Sequence, residues 1–141
     1  LTLLDATYGE FLNTNGIEPQ LGEQQLDGNY LTNAPKVSIN LGLNYTSLMS
    51  SGASLIYRAN AAYKSKIYFS EFNEYSQDAY TIVDLNLIWE SADETLRSRF
   101  FIKNATDEEY ISGYLSSATG GGRFGQWGYP RTAGIEIQRN F

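Results

Sequence analysis

The side chains that carry most covalent and metal chemistry are missing here, for the 141 residues include no Cys and no His. Thiol nucleophiles, imidazole bases, zinc-finger spacings and most transition-metal sites are thereby removed. Carboxylates, tyrosines and one glycine-rich aromatic segment remain. Asp84 and Glu136 could divide acid and base roles. Both, however, belong to polar patterns already supplied with counter-charges such as Arg58, Arg97 and Arg99. An enzyme is therefore the weakest reading, and no catalytic residue, resident cofactor or metal is assigned. Asp107-Glu108-Glu109 reads as a strand-end turn. Gly120-Gly121-Gly122 does not follow a strand and open a helix, as a phosphate loop must. The segment TGGGRFGQWGYPR, Thr119 to Arg131, holds more promise. Its glycines permit wide excursions, while Arg123, Phe124, Trp127 and Tyr129 offer a cation and aromatic stacking surfaces. Such a set suits a catecholate or a sugar ring. The plainer alternative is that Trp127 and Tyr129 are interfacial belt aromatics.

Composition narrows the class of scaffold that must position these residues. Hydrophobic residues make up 42%, aromatics 14% and charged residues only 18%, below the roughly 25% usual for soluble domains. A disordered chain would be poorer in aromatics and richer in charge. The net charge of −6 argues against a nucleic-acid partner, which needs a clustered basic face. No run of about 18 apolar residues supplies a transmembrane helix. A membrane β-strand is untouched by that test, since its signal is only alternation over about ten residues.

Alternation is what the chain shows. Val37, Ile39, Leu41, Leu43 and Tyr45 interleave with Ser38, Asn40, Gly42, Asn44 and Thr46, a period of two. Leu55 to Tyr63, Val83 to Trp89, Leu96 to Lys103 and Ala133 to Phe141 repeat the pattern, with a weaker start around Leu4, Ala6 and Tyr8. Ile82 and Ile88 interrupt an otherwise polar face. Six strands and no helix are predicted. The connections take strict turns: short at Ser47 to Gly52 and Glu90 to Thr95, long at Leu12 to Pro35, Ser70 to Ala79 and Asp107 to Pro130. Sorting short turns from long loops is the mark of an up-and-down barrel, whereas a Greek-key sandwich has less reason for it.

Two environments fit alternating faces. A soluble sheet turns its apolar face to a core, and a membrane barrel turns it to lipid while its polar face meets a wet lumen. Long cations on the polar face (Arg58, Lys64, Arg97, Arg99, Lys103) suit a wide lumen. Aromatics at strand ends (Tyr8, Tyr45, Tyr57, Trp89, Phe141) suit interfacial girdles. The apolar runs also approach the roughly 9–11 residues of a tilted membrane strand. The soluble alternative is a carbohydrate-binding β-sandwich with Tyr and Trp as stacking platforms. Six strands cannot close a membrane barrel, since the smallest have about eight. The lipid reading therefore expects further strands elsewhere, which agrees with a first residue, Leu1, that is neither an initiator Met nor part of a signal peptide.

Three stretches then suggest a family: LDGNYLTNAPKVSINLGLNY, FFIKNATDEEY and the ending PRTAGIEIQRNF. In order, they resemble the C-terminal third of TonB-dependent outer-membrane receptors. There a Gly-x-x-Leu-x-Asn-Ala-Pro element, here Gly28 to Pro35, leads into a descending strand. An Asn-Leu-Thr/Phe-Asp-x-x-Tyr element, here Asn104 to Tyr110, follows the penultimate strand, and the chain ends Pro-Arg-Thr, strand, Phe. Ala105 replaces the usual Leu, and Arg139 stands where an aromatic is common.

The resemblance implies that residues 1–141 are six antiparallel up-and-down strands at the C-terminal end of a barrel of about 22 strands, without plug or remaining strands. It implies the outer membrane of a Gram-negative bacterium, with lipid and lipopolysaccharide as surroundings. A small-molecule nutrient, such as a ferric siderophore, haem, cobalamin or an oligosaccharide, would be the ligand. TonB would engage the N-terminal part, so this segment could not transport alone. The long loops would face outward, and their carboxylates, Glu18, Glu23, Asp27, Glu71, Glu74 and Asp78 among them, read as a rim bridged to lipopolysaccharide by divalent cations. By the same resemblance, Ile135, Ile137 and the terminal Phe141 form the signal read by the barrel-assembly machinery.

Overall fold

The computed structural model describes residues 1–13, 24–116 and 123–140, and among them it is all β with no helix. One six-stranded sheet runs β1 (Thr2–Leu3), β4 (Val37–Leu48), β5 (Ser54–Lys64), β8 (Tyr80–Glu90), β9 (Leu96–Lys103) and β12 (Thr132–Arg139), each strand beside the next. The resolved registers are antiparallel: Leu3↔Val37, Leu87↔Phe100 and Ile135↔Phe100 are partners. The six predicted strands are these six. The first is shorter and earlier than its pattern suggested, and the Tyr8 region contributes only a bridge, Thr7↔Tyr30.

The predicted long connections are not plain loops. Each carries a small ladder: β2 (Leu12–Asn13) with β3 (Gln24–Gln25), β6 (Ile67–Tyr68) with β7 (Ser76–Gln77), and β10 (Ile111–Ser116) with β11 (Arg123–Trp127). Periodicity missed β2, β3, β6 and β7 because a strand of two residues has no period to read, and it missed β10 and β11 because their ISGYLS and RFGQW runs are broken by glycine.

The chain divides into two compact units. One comprises Ile39–Tyr63, Thr81–Glu108 and Tyr129–Phe141, the body of the long strands. Its short connections are tight turns. Gly52 takes φ +84°, a conformation glycine adopts freely, and its N–H donates to the Met49 carbonyl at 2.9 Å. Ser91 to Thr95 close around Asp93, whose carboxylate accepts from the Ser91 hydroxyl (2.6 Å) and from the Thr95 hydroxyl (2.9 Å) and N–H (3.2 Å). These bonds hold the Asp93 carboxyl below its usual range, the Ser91 hydroxyl contributing most. The other unit comprises Leu1–Ser38, Lys64–Tyr80 and Glu109–Gly128 and contains the three small ladders.

Very little of the sheet's apolar side is buried. Among the described residues of the long-strand unit only Ala53 and Ile88 are buried apolar ones, and Ile88, 2% exposed, lies on the polar face opposite Arg99. By contrast Leu41 and Leu43 are each 67% exposed, Ile135 69% and Ile137 73%. Covering one such side chain is worth about 1.5–3 kcal/mol, so a sheet that leaves a row of them open in water is unfavourable. This face requires an apolar surrounding.

Candidate functional site

The period-2 faces place chemistry on one side of the sheet only. Across β8, β9 and β12, the Arg99 guanidinium donates through Nε to Asn86 Oδ1 (3.0 Å) and through Nη1 to Glu136 Oε2 (3.1 Å). Glu136 is thus a half-open ion-pair partner, directly opposite Arg99 in the register. The Asp84 carboxylate is equally committed, accepting the Asn104 backbone N–H at 2.9 Å. Phe101 shares this polar side: its ring lies where a Cβ on Gly134 would sit, 2.5 Å from the ring edge, between the Arg99 guanidinium (5.0 Å) and the Lys103 ammonium (6.0 Å). The opposite side is apolar, with a shallow groove of about 330 Å³ lined by Leu43, Tyr57, Leu85, Leu87, Phe100 and Ile102.

The Asn104 to Tyr110 motif owes its residue types to a brace. Asn104 is 3% exposed and takes φ +47°, which Asn tolerates better than most residues. Its amide donates to the carbonyls of Glu108 (2.9 Å) and Tyr129 (3.0 Å), while its Oδ1 accepts the Glu108 N–H (2.9 Å). Asp107, φ +58°, accepts the Arg131 N–H at 2.9 Å and faces the Arg131 guanidinium at 3.5 Å. Asp107-Glu108-Glu109 is accordingly a strand-end turn tied to the Pro-Arg-Thr segment. A buried amide with all its bonds made is costly to replace, which explains the spacing of the motif.

In the loop unit, a second asparagine does the same work without a recognisable motif. Asn73, φ +57°, accepts the Tyr30 N–H (2.7 Å) and donates to the Tyr30 (2.9 Å) and Ser70 (3.2 Å) carbonyls. Tyr30 stacks on Tyr68 at 5.7 Å and 8°, with the Lys36 ammonium over the Tyr30 ring (4.2 Å) and Lys66 over Tyr68 (5.3 Å). A hydrogen bond to the Tyr30 side chain raises the Lys36 pKa, keeping it charged. Sequence reasoning passed over this column, whose signal was a Tyr and a Lys before β4 (Tyr30, Lys36) and again after β5 (Lys66, Tyr68).

The proposed ligand residues lie on and after β11. Arg123 opens the strand opposite Ser116, and Phe124 pairs with Leu115. Phe124 (63% exposed), Trp127 (67%) and Tyr129 (85%) are open to solvent. Phe124 and Trp127 are three residues apart on one strand and so point to opposite faces. Tyr129 lies beyond the end of β11, held by its carbonyl to Asn104. Ile135 and Ile137 share the apolar face of β12, both exposed, while Phe141 lies outside the described residues, as do Glu18, Glu23 and the Gly120 to Gly122 run. Among the described residues, no group of Asp or Glu could hold a metal ion.

No curated protein matches the chain. Solved structures share its fold, two of them receptors. One is the ferric yersiniabactin uptake receptor FyuA from Yersinia pestis, with a TM-score of 0.73 and 22% identity over 82% of this chain. The other is BauA, the ferric preacinetobactin receptor from Acinetobacter baumannii, with a TM-score of 0.67 and 21% identity over 82% of this chain. The chain spans only 18% and 16% of those two proteins. Residues 1–105 match the family described as TonB dependent receptor-like, beta-barrel. With its antiparallel sheet, its polar and apolar faces and its braced strand ends, the chain belongs to the β-barrel family of TonB-dependent receptors.

Proposed function

We propose that these residues are the C-terminal part of the barrel of an outer-membrane receptor that takes up a ferric siderophore. The family match over residues 1–105 carries the reading, and the likeness of fold to two receptors named for ferric chelates supports the choice of nutrient. On this reading the apolar face carrying Leu41, Leu43 and Ile135 meets lipid. The Arg99–Glu136–Asn86 network faces the lumen, and the three small ladders stand outside the cell with lipopolysaccharide around them. The work is transport rather than catalysis, energised by TonB through an N-terminal plug. The 141 residues do not transport alone.

Arg123, Phe124, Trp127 and Tyr129 form the ligand-facing set, in which Phe124 and Trp127 present exposed rings on opposite faces of β11, each suited to stack on a chelate from its own side. Ile135, Ile137 and Phe141 form the terminal signal for the barrel-assembly machinery, read by strand addition with a pocket for every second side chain. Deleting Phe141 is then expected to lower surface-exposed receptor relative to total, and an unchanged ratio removes that role. The functional test is binding of a panel of ferric chelates to the complete receptor, with Phe124→Ala and Trp127→Ala beside it. Tight binding of at least one chelate, weakened in at least one of the two variants with barrel amounts unchanged, is expected. A receptor that binds none rejects the function, whereas binding untouched by both substitutions rejects only the site.

A further inference from the structure

A two-stranded ladder is marginal on its own, and β6–β7 has only two residues in each strand. Something else must hold it, and the same is true of β10–β11, whose register slips between Ile111 and Gly113. The contacts that hold each of them reach the other. The Tyr114 ring of β10 stacks on Phe69 (5.6 Å, 14°) and on Tyr75 (5.3 Å, 19°), the two residues that follow β6 and precede β7. Across its own ladder Tyr114 pairs with Gly125, which puts no side chain directly opposite the ring. Burial raises the Tyr114 pKa, keeping the ring neutral among its neighbours. At the base of the hairpin the Ile111 N–H donates to Gln77 Oε1 at 2.8 Å. Beside it Tyr110 stacks on Tyr80 (4.7 Å, 16°) and covers Gly128, where any side chain would displace the ring.

We infer that Tyr114 and Gln77 are positioning residues that lock the β10–β11 hairpin onto the β6–β7 hairpin, so that the two open and close as one body. Three aromatic rings and one side-chain acceptor join segments that the chain separates by the whole of β8 and β9. The hairpin that carries Phe124 and Trp127 is therefore aimed by residues that lie on another connection. Neither the ligand nor the direction of transport enters this inference, so it stands or falls apart from the proposed function.

Amide hydrogen exchange in the natively inserted protein tests it, because exchange reports local opening segment by segment. Phe69 donates its N–H to Tyr75, and Asn73 donates to Ser70, both inside the β6–β7 hairpin and neither bonded to β10. Tyr114→Ala should speed exchange at Phe69 and Asn73 by about tenfold while β8 amides stay at their original rates. Tyr114→Phe retains the ring and should restore the original rates. Faster exchange confined to β10–β11, with Phe69 and Asn73 unchanged, overturns the inference. If Tyr114→Ala does not reach the membrane, Gln77→Ala carries the test. A rise of about threefold at Phe69 is then expected, and no rise overturns the inference.

Discussion

In the strands from Ile39 to Lys103 the backbone pairs with its neighbours in a continuous ladder, and the side chains are left free to serve two surroundings. In the segments around Tyr30, Asn73 and Tyr114 the ladders are a few residues long, and side chains take over the joining. There an asparagine at positive φ accepts one backbone N–H and returns two bonds to carbonyls, while tyrosines stack in pairs and, with Phe69, in a group of three. The first region is held by pattern and the second by particular residues. Substitutions should therefore act differently in each. A change of polarity matters in the sheet, where any apolar residue of suitable shape can serve. A change of identity matters in the loops, where an amide or a ring cannot be replaced by its nearest equivalent in hydropathy.

The largest expected effect breaks the pattern of the sheet. Leu41→Arg places a charge on the apolar face of β4 and should cost about 2–4 kcal/mol of folding free energy in lipid vesicles. Asn40→Arg, one residue away on the polar face, should cost little. Equal costs at the two positions would mean that β4 does not separate lipid from water. A smaller effect is expected in the loop unit. Asn73→Ala removes three half-buried hydrogen bonds and leaves Ala at a φ of +57°, for about 1–3 kcal/mol. That loss should be local, read as faster exchange of the Tyr30 N–H with β4 and β5 unaffected. A global loss of barrel stability would show that the two regions are not separately held. The smallest effect concerns the Ser91 to Thr95 turn. The Asp93 carboxyl is held below its ordinary 3.8, so the bonds it accepts stabilise the turn fully above that pH. Their contribution should fade only as pH falls further, through the lowered folded value. Protection of the Thr95 N–H followed downward from neutral pH should thus persist below pH 4 and be absent throughout in Asp93→Ala.

How much of this was legible follows from the same contrast. The six long-sheet strands could be read because alternation is a local property: Val37 to Tyr45 carries its two faces in its own order of residues. Asn104 was half legible, since the family motif singled it out, but only the structure shows that it grips the Glu108 and Tyr129 carbonyls. Asn73 was not legible at all, because its partner Tyr30 is 43 residues away and nothing in the adjoining sequence names it. The β6–β7 and β10–β11 ladders were missed for a related reason. Their order comes from Tyr114 and Gln77, contacts between connections rather than a period within one. In the segment from Arg123 to Tyr129, residue types suggested one cluster of aromatics. Strand alternation instead sends Phe124 and Trp127 to opposite faces of β11, a consequence visible only once the strand itself is known.

On the function proposed above, a strand such as β4 stands between lipid on one face and water on the other. Because the chain contains no Cys, single cysteines introduced one at a time along Val37–Leu48 can carry a spin label without background. The label's collision rates with oxygen, which concentrates in lipid, and with a polar nickel chelate, which stays in water, would be measured in the inserted protein. Oxygen access should peak at positions 39, 41 and 43 and chelate access at 40, 42 and 44, out of phase with a period of two. Chelate access that is high and level at every position would contradict the account.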